Sequence, residues 1–119
     1  MQQVVNRKPD IKVSKSGKIE LYYRAAKKME IDDSSMIIFF IGEDGELYVR
    51  KVAEGGLKKH SKRGLSHYRY IDRETAKIIL SHPDVPDDVK EVGFRLGETD
   101  DGTAFPVITR RIFIIRRES

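Results

Sequence analysis

At 119 residues the chain has room for one ordinary domain, or for two very small units sharing a core. Its 39% apolar and 35% charged residues exclude disorder of the whole chain, and 23 Lys and Arg against 19 Asp and Glu leave a net charge of +4, which suits an acidic partner without requiring one. The lack of Cys excludes a disulfide framework or thiolate zinc site, and the longest apolar run, Met36 to Ile41, is too short to cross a bilayer, so a cytoplasmic α+β domain without membrane attachment is expected.

Residues 1–10 are polar, hold Pro9 and show no periodicity, so they read as a flexible N-terminal arm, with a single α+β domain over 11–119. Ile11-Lys12-Val13 and Lys18 to Tyr22 alternate apolar with polar residues around the turn residues Ser14 to Gly17, the pattern of a hairpin. Ala25, Ala26 and Met29 then suit a short helix, which Asp32 to Ser35 stops. Met36 to Ile41 is continuously apolar, the composition of a strand buried on both faces. An Asp44-Gly45 turn leads into the alternating strand Leu47 to Val52.

Residues 53–65 contain Gly55-Gly56 and the run Lys58 to Arg63, and lack periodicity, so a mobile basic linker is expected. Beyond it, Tyr68 to Ile71 reads as a strand, Asp72 as an N-cap over Thr75, and Ala76 to Leu80 as a helix. Val85 to Val89 is a polar connector, Val92 to Leu96 a strand, Gly97 to Gly102 a turn, and Phe105 to Ile108 and Ile112 to Ile115 two final strands.

The fold class is thus a small β-rich barrel or sheet with two short helices. The order strand, helix, apolar strand, acidic turn, strand occurs twice, over 11–52 and 66–115. Ile41-Gly42-Glu43 matches Leu96-Gly97-Glu98, and Ala26-Lys27 matches Ala76-Lys77. A tandem strand-helix-hairpin repeat around a shared core of Ile38, Phe40, Phe94 and Leu96 is therefore expected.

The stretch from Gly17 to Val52 resembles the swapped-hairpin domain of the AbrB and SpoVT transcription regulators. Gly17-Lys18, Ile19, Lys27, Met29 and Ile31 hold positions matching the family pattern. The family's strand-ending proline is Tyr22 here, its helix-ending glycine is Glu30, and one of its two adjacent basic helix positions is Ala26. The resemblance implies a DNA-binding barrel built from two copies that exchange hairpins, either as a homodimer or within one duplicated chain.

The run Lys58-Lys59-His60-Ser61-Lys62-Arg63 is dense enough in cations to neutralise several phosphates. With Lys15, Lys18 and Lys27 it makes the candidate contact set for double-stranded DNA: Lys15, Lys18, Lys27, Lys58, Lys59, Lys62 and Arg63. Tyr22, Tyr23, Tyr48, Tyr68 and Tyr70 lie beside basic residues and are candidates for base stacking or for the core margin. Arg110-Arg111 and Arg116-Arg117 either extend a basic surface or, the preferred reading, guard an edge strand. His60, His67 and His82 lack metal-ligand spacing, no Ser sits in a nucleophile elbow, and Gly42 to Gly45 lacks a phosphate-loop ending, so no catalytic residue, metal or cofactor is expected. The expected function is a DNA-binding regulatory protein. The alternative is a non-enzymatic interaction or assembly module, of the kind a mobile element carries.

Overall fold

Alternation of apolar and polar residues sets the first hairpin. Strand β1 (Ile11–Ser14) pairs with β2 (Lys18–Leu21), with Ile11 opposite Leu21 and Val13 opposite Ile19, and all four side chains are buried. The computed structural model describes residues 9–64 and 67–115. The expected arm over 1–10 lies outside the described residues except for Pro9 and Asp10, and Asp10 is held in place. Its N–H donates to the Phe94 carbonyl at 2.9 Å, and its Oδ2 accepts the Leu96 N–H at 2.9 Å.

Helix α1 (Tyr23–Met29) buries Ala25, Ala26 and Met29. It ends at Glu30, which takes a left-handed conformation (φ 57°, ψ 46°), while the Ile31 N–H reaches back to the Ala26 carbonyl at 2.9 Å. This is a Schellman-type ending, in which Ile31 packs against the core. Strand β3 (Met36–Ile41) and β4 (Leu47–Val52) form the second hairpin. Its turn carries Gly45 at φ 80°, and the Asp44 side chain accepts the Glu46 N–H at 3.0 Å.

Two corrections arise in β3. It is not buried on both faces, and its inward residues are Ile37 and Phe39, whereas Ile38 and Phe40 lie half-buried on the other face and Ile41 is exposed. Phe94 and Leu96 are in the core as expected.

The stretch expected to be a mobile linker pairs into the sheet instead. Strand β5 (Leu57–Lys58) runs beside β3, and β6 (Ser61–Arg63) beside β7 (His67–Ile71). Leu57 packs against the core, which anchors the segment despite its charge. Leu65 and Ser66 lie outside the described residues.

Helix α2 (Arg73–Leu80) starts at Asp72, whose side chain accepts the Thr75 N–H at 3.0 Å. The connector after it is not simply polar, because Val85 and Val89 are buried. Strand β8 (Glu91–Leu96) is followed by β9 (Ala104–Ile114), one long strand where two were expected. Between Gly93 and Arg95 the partner on β9 shifts from Phe113 to Ile108, so Thr109 to Ile112 form a bulge in that pairing.

Among the described residues nine strands form one curled antiparallel half-barrel in the order β5-β3-β4-β9-β8-β1-β2-β7-β6. The edge strands β5 and β6 are joined only by Lys59 and His60, so the chain can separate them by no more than about 11 Å. The sheet must therefore curl until its edges approach. Strand β9 pairs with β4 over Ala104 to Pro106 and with β8 at Val107, Ile108, Phe113 and Ile114, and Arg110 and Arg111 lie between these paired positions; Arg116 and Arg117 lie outside the described residues. Because β2 and β7 are antiparallel neighbours, α1 leaves one end of the curled sheet and α2 the other. Among the described residues no helix is long and apolar enough to cross a membrane.

Candidate nucleic-acid interface

The sheet's outer face carries a charged ladder. Lys12, Glu20 and Arg69 stand directly opposite one another on β1, β2 and β7. Arg69 donates to Glu20 Oε1 through Nη2 at 2.9 Å, and Lys12 bridges Glu20 and Glu91 at 3.1 Å each. Burial would raise the Glu20 carboxyl, but hydrogen bonds from Tyr22 and Lys12, the Lys12 charge and the bond from Arg69 outweigh it and hold the group at about 2. These cations are internally matched and leave little charge for a partner.

The candidate contacts separate into three places. Lys59 and Lys62 on the β5–β6 segment both reach Asp33 in the loop after α1, at 3.4 and 3.1 Å. The hydrogen bond from Lys62 and the charge of Lys59 hold the Asp33 carboxyl below its ordinary value. Lys62 also lies over the Tyr68 ring, 5.2 Å from its centre. Lys58 and Arg63 are exposed beside them. Lys27 projects from α1, 5.7 Å from the Tyr23 ring centre, in a cleft of about 520 Å³ with Asp10, Arg24 and Lys28.

The third place is the end of the sheet where α2 begins. Lys15 lies in the β1–β2 turn, and Lys18 follows Gly17, which packs so closely on Arg73 that an added Cβ would meet its side chain at 3.0 Å. Lys15, Arg73 and Lys77 line a groove of about 460 Å³ floored by Leu80, Pro86 and Val89, with Asp87 as the carboxylate on its wall. Arg73 and Lys77 share one exposed face of α2, while Ala76 and Ile79 are buried. Among the described residues Lys15, Lys18, Arg73 and Lys77 form no ion pair.

Arg73, Lys77 and Arg24 were not among the contacts expected from sequence. The four-residue spacing of Arg73 and Lys77, opposite the apolar positions of α2, was the available signal. The tyrosines also sort themselves. Tyr68 and Tyr70 are core residues, Tyr22 stacks on His67 at 4.6 Å, and Tyr48 stacks on Phe40 at 5.4 Å. Tyr23 is 57% exposed. Among the described residues no group of His, Asp and Glu is arranged to hold a metal. Comparison with protein-family models, curated proteins and solved structures gives no match.

Proposed function

We propose that the protein is a DNA-binding regulatory protein whose duplex contacts lie at the α2 end of the sheet. The observation that carries this reading is that Lys15, Arg73 and Lys77 line one groove there, with Lys18 at the same end of the sheet opposite Ile71, all four without ion-pair partners among the described residues. Unmatched cations of this kind bind phosphates by releasing condensed counterions, whereas Lys59 and Lys62 already hold Asp33.

The hairpin order supports a tandem repeat with exchanged hairpins. The hairpins β3–β4 and β1–β2 of the first half alternate around the sheet with β9–β8 and the β7–β6 pair of the second. The halves meet through β4 with β9, β8 with β1, and β2 with β7, while β5 of the connecting segment pairs with β3. Gly42 and Gly97, each just past an apolar strand, donate their N–H groups to the Glu46 carbonyl just before β4 at 2.9 Å and to the Pro106 carbonyl in β9 at 2.8 Å, and each lies close to a side chain of the facing strand, Tyr48 or Pro106. Glu30 adopts the left-handed conformation where the AbrB and SpoVT pattern has glycine. In this reading one duplicated chain supplies both halves of the barrel and needs no second copy to complete it.

The test is fluorescence anisotropy with a mixed-sequence duplex over a range of salt. Wild type should bind with steep salt dependence, and joint replacement of Lys15, Lys18, Arg73 and Lys77 by Ala should flatten the log-log slope by about 3 to 4. Absence of salt-sensitive binding at micromolar concentration would reject the reading. The interaction-module alternative has its own support in Ile41 and Ile78, which are 50% and 59% exposed and line one groove with Pro83.

A further inference from the structure

The cleft over α1 lies away from the proposed duplex site and has a different chemistry. Tyr23 offers an exposed ring, and Lys27 stands 5.7 Å from its centre. Arg24 is exposed beside it, and Lys28 bonds Glu98 at 3.1 Å on the margin. Asp10 also lines the cleft yet is only 6% exposed. One of its carboxylate oxygens accepts the Leu96 N–H, while Oδ1 is buried without a hydrogen-bond partner among the described residues. A buried acceptor left without a donor is costly, so an occupant that brings an N–H or O–H group gains from reaching it. Oδ1 is closed to bulk water, so a donor reaches it only as the side chains lining the cleft rearrange.

We propose that this cleft holds one unpaired nucleotide, with its base on the Tyr23 ring, its phosphate between Arg24 and Lys27, and a base or sugar donor on Asp10. A flat ring, an anion and a hydrogen-bond donor are the three groups that an aromatic face, two cations and an orphan carboxylate oxygen select together. The volume of about 520 Å³ accommodates a ligand of that size. The carboxylate keeps the phosphate toward the cation side and so fixes the direction of binding. The inference does not rest on duplex binding, because its residues and those of the α2 groove are different sets.

The experiment uses the full chain, a labelled single strand of about ten nucleotides and a free nucleoside 5′-monophosphate. Tyr23→Ala should weaken strand binding about tenfold, and Lys27→Ala should lower its salt slope by about 0.7. Asp10→Asn keeps an acceptor for Leu96 but presents a donor in place of Oδ1, and should weaken binding severalfold at an unchanged melting temperature. If Asp10→Asn does not fold, the surface variant Tyr23→Ala still decides the matter. Joint replacement of Arg73 and Lys77 should spare strand binding, which separates this site from the duplex reading. Strand binding much tighter than mononucleotide binding identifies nucleic acid as the source, and comparable binding identifies a free nucleotide. The proposal is overturned if Tyr23→Ala binds the strand as wild type does, or if wild type binds neither probe at about 1 mM.

Discussion

Glu20 and Arg69 face each other across β2 and β7, joined by two hydrogen bonds of 2.9 and 3.1 Å from the guanidinium to one carboxylate oxygen. Only 5% of the Glu20 side chain is exposed. The folded carboxyl is held at about 2, below its ordinary value of 4.5, so its stabilisation is fully present above pH 4.5 and is lost as pH falls through about 2. Glu20→Gln should cost about 3 kcal/mol near neutral pH, because it leaves Lys12 and Arg69 facing a neutral group. In urea melts, the gap between wild type and Glu20→Gln should narrow from pH 4.5 downward. A gap independent of pH would show that the charge is not what the ladder uses.

Glu30→Gly should stabilise the fold by about 0.5 to 1 kcal/mol. Glu30 occupies the left-handed region at φ 57°, where a Cβ crowds its own backbone and glycine does not. Glu30→Ala keeps the Cβ and should give no such gain. Thermal denaturation of the two variants side by side separates backbone strain from loss of the charge.

Gly56→Ala should destabilise by about 2 kcal/mol. A Cβ there would lie 2.8 Å from the Ile37 carbonyl oxygen and 2.7 Å from Val52, at the point where β5 joins β3. Backbone cannot yield as a side-chain tip does, so β5 would have to lift from the sheet. Amide hydrogen exchange should then show Leu57 and Lys58 losing protection before the rest of the sheet.

Asp33→Asn should leave the salt slope of duplex binding within about half a unit of wild type, and so should joint replacement of Lys59 and Lys62 by Ala. Asp33, Lys59 and Lys62 lie away from the α2 groove, and both lysines already share the Asp33 carboxylate. A slope steepened by Asp33→Asn would place the duplex on the β5–β6 segment instead, by showing that freed lysines there meet phosphate. Anisotropy at several salt concentrations reads either result.

Sequence by itself determined the features whose causes are local. The β1–β2 hairpin, the Asp44-Gly45 turn and strand β4 (Leu47–Val52) follow from alternation and turn chemistry within a few residues. Asp72 caps α2 through Thr75, three residues away, so that contact was also legible. Only the tertiary structure decided the rest. Met36 to Ile41 has no polar position to mark a face, so the inward choice of Ile37 and Phe39 over Ile38 and Phe40 depends on which strands cover β3. The basic run looked like a free linker because Asp33, which engages Lys59 and Lys62, lies far off in sequence, in the loop after α1. The α2 groove likewise needed the β1–β2 turn to bring Lys15 beside Arg73 and Lys77. Whether a charge is matched or free depends on separations of a few ångströms between distant segments, and those separations exist only once the sheet has curled.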